Sequence, residues 1–198
     1  MNTKPLSELI NSKETFLLGI ARVSDISQVE ALPAQKKRII AYAENVGIPY
    51  HYVQFNESAY KGPRQEFNEL VIDTVDKARS KVIIVFDKID RYTRDSSGPE
   101  KTYLNKKLRE GAIELHFPSD NLFLSKDSPA ADLFRMDIGV ALAGYYSSAI
   151  RDNVRRRFDQ KLADGEWPGK APIGYLNYIK EYDRKGEPIK DIKVDKDR

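Results

Sequence analysis

The chain has 198 residues, 40% of them hydrophobic and 32% charged, with a net charge of +3, enough for one sizeable core or a domain plus an appendage. No cysteine and two histidines exclude disulfides, thiolate metal sites and a histidine-rich metal centre. The apolar runs are too short to span a membrane, and the N-terminus lacks the apolar core of a signal peptide, so a cytoplasmic protein is expected.

Residues 1–14 are polar and carry no strong pattern. Residues 15–23 read as a buried strand. Leu32-Pro33-Ala34-Gln35 opens a helix, with proline allowed in the first turn, and Gly47 closes it. Residues 50–55 form a second strand, residues 56–64 a polar loop, and residues 64–79 a second helix. Residues 81–86 are the clearest buried strand, rich in β-branched side chains. A third helix over residues 99–109 stops at Gly111, and residues 112–117 return as a strand. Strands alternating with helices predict an α/β domain with a mainly parallel sheet.

The pattern then changes. From Pro129 to Asp164 no proline interrupts, which predicts a helix of roughly 35 residues and about 50 Å. Its first half is apolar (Leu133, Met136, Val140, Leu142, Tyr145) and its second half is basic. Residues 151–161 hold five basic and two acidic groups. Arg151, Arg155, Arg156, Arg157 and Lys161 are therefore candidate DNA contacts, and a solvated helical face is the plain alternative. Residues 165–172 are a linker by composition. Residues 173–198 carry strand-like pieces around Lys185-Gly186 and read as the start of a further domain. The expected layout is an extension over 1–14, a catalytic domain over 15–127, the long helix over 128–164, and linker plus partial domain over 165–198.

Candidate chemistry collects at the ends of strands. Ser24 follows the first strand, with Arg22 two residues before it on the same face. Asp90, Arg91 and Arg94 follow the strongest strand and share its edge with Ser24 if the two run parallel. Planar, permanently charged guanidiniums suit a phosphoryl transition state. A serine among arginines points to phosphodiester rather than acyl chemistry. Taken alone, Ser24 also reads as a turn cap, and Asp90-Arg91 as a surface pair. Arg64 ends a loop that also holds Glu57 and Tyr60. His51 and His116 lie in or beside strands and read as partly buried structural residues. Walker, HExxH and GxSxG motifs are absent.

The segments Gly19-Ile20-Ala21-Arg22-Val23-Ser24, Leu32-Pro33-Ala34-Gln35, the loop through Arg64, and Asp87-Lys88-Ile89-Asp90-Arg91-Tyr92-Thr93-Arg94 stand in this order before the long helix. Together they resemble the serine recombinase family (resolvases, invertases and large serine integrases) over residues 16–165. Trp167-Pro168-Gly169-Lys170-Ala171-Pro172-Ile173-Gly174-Tyr175 looks like the entry to the DNA-binding domain of the large members.

The resemblance implies a resolvase-like three-layer α/β fold and a metal- and ATP-independent DNA strand transferase with no cofactor. In that family a serine forms a 5′-phosphoserine link to DNA, leaving a 3′-hydroxyl; two dimers meet as a tetramer, and half of it rotates before religation. Carried over, Ser24 is the nucleophile, and Arg22, Arg64, Arg91 and Arg94 bind the phosphate. Asp90 orients arginines or assists proton transfer, Gln35 supports the site, and the long helix supplies subunit contacts. The implied partners are double-stranded recombination sites, further copies of the chain and an accessory directionality factor, with no membrane and a nucleoid-associated location.

Three positions depart from the family pattern. Ile20 stands where many members have tyrosine, Tyr60 stands near a common loop serine, and Tyr146-Ser147 replaces a Glu-Arg pair. The competing readings are a non-catalytic α/β module that binds nucleic acid or protein partners, and a flavodoxin-like phosphotransfer domain.

Overall fold

The computed structural model describes residues 3–23, 30–56, 65–93, 98–182, 184 and 186–196, without the side chains of 56 and 65. The chain divides into two compact units, Met1–Gly144 and Tyr145–Arg198.

The first unit is a five-stranded sheet in the order β2-β1-β3-β4-β5. The strands are β1 (Phe16–Val23), β2 (Tyr50–Asn56), β3 (Val82–Phe86), β4 (Ile113–Phe117) and β5 (Leu122–Leu124). The first four run parallel, and β5 runs antiparallel to β4. The mainly parallel sheet is thus the one expected. β1 and β3 are buried at every position, the signature of strands covered on both faces.

Alternation along the strands sorts the side chains into two layers. Phe16, Leu18, Ile20, Ile84 and Phe86 face a core completed by α3 (Gln65–Lys77), α5 (Pro99–Glu110) and the first half of α6 (Ala130–Ala163). Leu17, Ala21, Val23, Ile83 and Val85 face α2 (Leu32–Val46), through Leu32, Ile39 and Ala43. α2 has Pro33 in its first turn and ends at Gly47, whose φ of 77° is left-handed; α5 ends the same way at Gly111, with φ 76°. Both stops are glycine caps that a side chain would strain.

Three short elements lie where the sequence showed no periodicity. α1 (Leu6–Asn11) drops Leu9 into the core. α4 (Ile89–Tyr92) forms one turn just after β3. β5 adds Leu122 and Leu124 to the core and leaves Phe123 outside, where its ring stacks on Tyr42 at 5.7 Å. His116 of β4 is buried beside them, bonded to the Tyr42 hydroxyl at 2.8 Å and to Glu114 at 3.1 Å. Burial pushes its imidazole below the ordinary histidine range, against the pull of Glu114.

In the second unit α6 continues to Ala163, and β6 (Tyr175–Tyr182) pairs antiparallel with β7 (Pro188–Val194). Among the described residues no helix is long and apolar enough to cross a membrane.

Candidate active site

β1 and β3 are parallel neighbours whose last paired residues are Ile20 and Phe86. The two strands therefore end at the same carboxyl edge of the sheet, where α/β folds place their ligands.

Arg22 is the penultimate residue of β1 and is buried. Its backbone lies past the end of β3, so the ladder cannot satisfy it on that side. Gln35 of α2 does so instead. The Arg22 N–H donates to Gln35 Oε1 at 3.2 Å, and Gln35 Nε2 donates to the Arg22 carbonyl at 3.2 Å. The side-chain amide thus imitates one peptide of a missing strand, and buried backbone groups stay paired. The Arg22 guanidinium sits over the Phe67 ring of α3, with Cζ 6.0 Å from its centroid, a cation–π distance.

The turn after β3 is pinned from two sides. Asp87 is buried and faces α2, where Arg38 grips it with two hydrogen bonds: Nε to Oδ1 at 2.7 Å and Nη2 to Oδ2 at 2.6 Å. Ser119 donates its hydroxyl to Asp87 Oδ1 at 2.6 Å and its N–H to the Asp87 carbonyl at 3.1 Å. Burial alone would raise the Asp87 carboxyl; the Arg38 and Ser119 hydrogen bonds overcome it and hold the group below the usual range. Two residues on, the Ile89 N–H donates to Asp120 Oδ2 at 2.7 Å, which fixes the start of α4.

α4 carries Asp90 and Arg91, whose Oδ2 and Nη2 are 3.5 Å apart. Asp90 Oδ1 is buried without a hydrogen-bond partner among the described residues. Tyr92 closes the turn in an aromatic cluster, 5.3 Å from the Phe86 ring and 5.9 Å from that of Phe117. Burial raises its phenol well above the ordinary tyrosine range.

Of the sequence candidates, Arg22 and Gln35 meet directly, and Asp90 and Arg91 meet on α4. Ser24, Arg64 and Arg94 lie outside the described residues, as do Glu57, Tyr60 and Lys185. The Asp87–Arg38–Ser119 cluster was not singled out from the sequence; its one signal was an aspartate directly after an apolar strand. Among the described residues no three His, Asp or Glu side chains are grouped to hold a metal ion.

In the second unit Arg151, Arg155, Arg156, Arg157 and Lys161 are all exposed. Arg156 bonds Asn153 at 2.6 Å and Lys161 bonds Glu166 at 2.8 Å. Lys161, Lys170 and Lys190 also line an open cleft of about 760 Å³, together with Trp167 and Tyr178.

Residues 17–167 match the family described as the resolvase N-terminal domain. Among solved structures, the N-terminal catalytic domain of TP901-1 integrase is similar at 14% identity and a TM-score of 0.48, over 68% of this chain and 98% of that one. The C-terminal catalytic domain of ISC1926 TnpA, an IS607-like serine recombinase, is similar at 15% identity and a TM-score of 0.39, over 73% of this chain and 99% of that one. No curated protein matches the chain significantly in sequence.

Proposed function

The chain belongs to the family of resolvase N-terminal domains, so it is a domain of a site-specific DNA recombinase, and we propose that Ser24 is its nucleophile. The Ser24 hydroxyl attacks a phosphodiester of double-stranded DNA. Its Oγ–P bond forms as the P–O3′ bond breaks; the serine proton is lost and the departing 3′-oxygen gains one. The product is a 5′-phosphoserine link and a free 3′-hydroxyl, and the reverse reaction reseals a strand without ATP or a metal.

Arg22, Arg64, Arg91 and Arg94 stabilise the charge that develops on the phosphoryl oxygens. Asp90 orients Arg91, and its second oxygen serves another donor or the moving proton. Gln35 sets the backbone of Arg22, two residues before the nucleophile. The long helix supplies subunit contacts for a dimer and then a rotating tetramer, and its basic half, Arg151 to Lys161, contacts DNA. Residues 165–198 begin a DNA-binding domain, and an accessory factor sets the direction of recombination.

The observation that carries this reading is the parallel pairing of β1 with β3. It supports a common edge for the residue after Val23 and for Asp90-Arg91, although they are remote in sequence. The exposed basic row of the second unit favours one alternative, a module that binds DNA without cutting it. Incubating the protein with DNA that carries its own element's junction sequences, then running a denaturing gel, separates the two. The wild type gives a covalent protein–DNA band and Ser24→Ala gives none, with fold and association intact. An adduct from the alanine variant removes Ser24 from the role; binding without an adduct from the wild type supports the module.

A further inference from the structure

Gly139 of α6 is the point where the long helix meets the turn that carries Asp90 and Arg91. A methyl group at residue 139 would stand 2.8 Å from Ile89 Cδ1, 2.9 Å from Ile89 Cγ2 and 3.4 Å from Ile89 Cβ. Cδ1 could swing aside, but Cγ2 is fixed by a β-branched χ1, and Cβ moves only with the backbone. The notch at Gly139 is therefore filled by the base of a stiff side chain on the first residue of α4. A glycine in mid-helix is otherwise unfavourable relative to alanine, so its presence here has a packing cause.

The surroundings tie the start of α4 to α6, so its setting follows that of the helix. The Ile89 N–H is held by Asp120. The carbonyls of Asp120 and Asn121 are in turn held by Arg135 of α6, one turn before Gly139. Lys101 of α5 bonds Asp137 of α6 at 2.7 Å, and Met136 and Val140 are buried in the shared core. Arg135 and Ala143 flank Gly139 at four residues on the same face. Sliding α6 by one turn would replace the notch with a side chain.

We propose that Gly139 is a positioning residue of the recombinase reaction: its notch seats Ile89 and thereby sets Asp90 and Arg91, so the clamp geometry depends on the axial setting of α6. The inference rests on the reading of Arg91 as a phosphate clamp. It predicts that Gly139→Ala displaces α4 while the alanine itself favours the helix.

The full chain, labelled with ¹⁵N-arginine, tests this by the Nε–Hε resonance of Arg91. Gly139→Ala shifts that resonance, and Gly139→Ala with Ile89→Ala returns it towards the wild-type position. Ile89→Ala alone, which removes the knob without a clash, also shifts it, and keeps the test decisive if Gly139→Ala does not fold. A purely structural role would lower the melting temperature and leave the Arg91 resonance in place; that result overturns the proposal. In parallel, cleavage of DNA carrying the element's junction sequences slows by about tenfold to a hundredfold in Gly139→Ala, as expected for a displacement near 1 Å, with DNA affinity retained. The double variant cleaves faster than Gly139→Ala. Wild-type cleavage rates in Gly139→Ala overturn the proposal. If the wild type itself forms no adduct, the nucleophile assignment fails, and the Arg91 resonance still decides whether the notch sets α4.

Discussion

Gln35 and Asp87 show how single side chains build the edge of the sheet. Gln35 satisfies a peptide that β3 is too short to reach, and it fixes Arg22 through its backbone. Asp87 is a buried carboxylate held by an arginine and a hydroxyl, and its stabilising effect depends on pH. Its carboxyl is depressed in the folded state, so its contribution is fully present above the unfolded value, about 4, and is lost as pH falls through the lower folded value. Asp87→Asn should therefore cost about 1–3 kcal/mol at pH 7, discounted because Arg38 is half exposed and rehydrates. The gap between variant and wild type should close on acidification below about pH 4. Urea unfolding at a series of pH values measures it, and a constant gap would mean that Asp87 acts by shape rather than charge.

The packing of α2 on β1 is an element-scale device of the same kind as the notch in α6. Gly19 faces α2, and a methyl group there would lie 2.5 Å from Ile39 Cγ2. The close approach lets α2 bring Gln35 and Arg38 over the carboxyl edge from a single helix. Gly19→Ala should cost about 1–3 kcal/mol through overpacking, and combining it with Ile39→Ala should cost less than the sum of the two single changes, because the pair shares one contact. Chemical denaturation reads this directly, and simple additivity would show that α2 moves away without penalty. α6 stands at the other extreme. Met136 and Val140 pack into the first unit, whereas Phe134, Ile138 and Leu142 are exposed there, as are Ile150, Val154 and Phe158 in the second unit. Exposed apolar side chains in each half of the helix are consistent with the subunit contacts proposed for it.

At the scale of the molecule, a net charge of +3 understates how unevenly charge is placed. The phosphate clamp proposed for the first unit and the exposed basic row of the second have different tasks. A clamp acts on one phosphate during chemistry; a basic row acts on the backbone during binding. Replacing Arg155, Arg156 and Arg157 by glutamine should therefore lower the slope of log affinity against log salt by about two to three. Fluorescence anisotropy with duplex DNA over a range of sodium chloride concentrations measures that slope. An unchanged slope would place the phosphate contacts elsewhere, with the lysine-lined cleft around Trp167 the next surface to test.

By itself the sequence determined what is local. Buried strands announced themselves as apolar runs, α2 and α5 were bounded by Pro33, Gly47, Pro99 and Gly111, and the long helix was legible because nothing breaks it. The candidates for the chemistry, Ser24 with its arginines, came from residue type and position in the sequence, and remain a proposal. Only the tertiary structure decided which strand neighbours which, and so that the ends of β1 and β3 share an edge. It also supplied α1 and β5, too short at six and three residues to show a period. Arg38 with Asp87, and Gly139 with Ile89, are joined across about fifty residues of chain. Their pairing is a property of the packed layers, and no spacing along the chain encodes it.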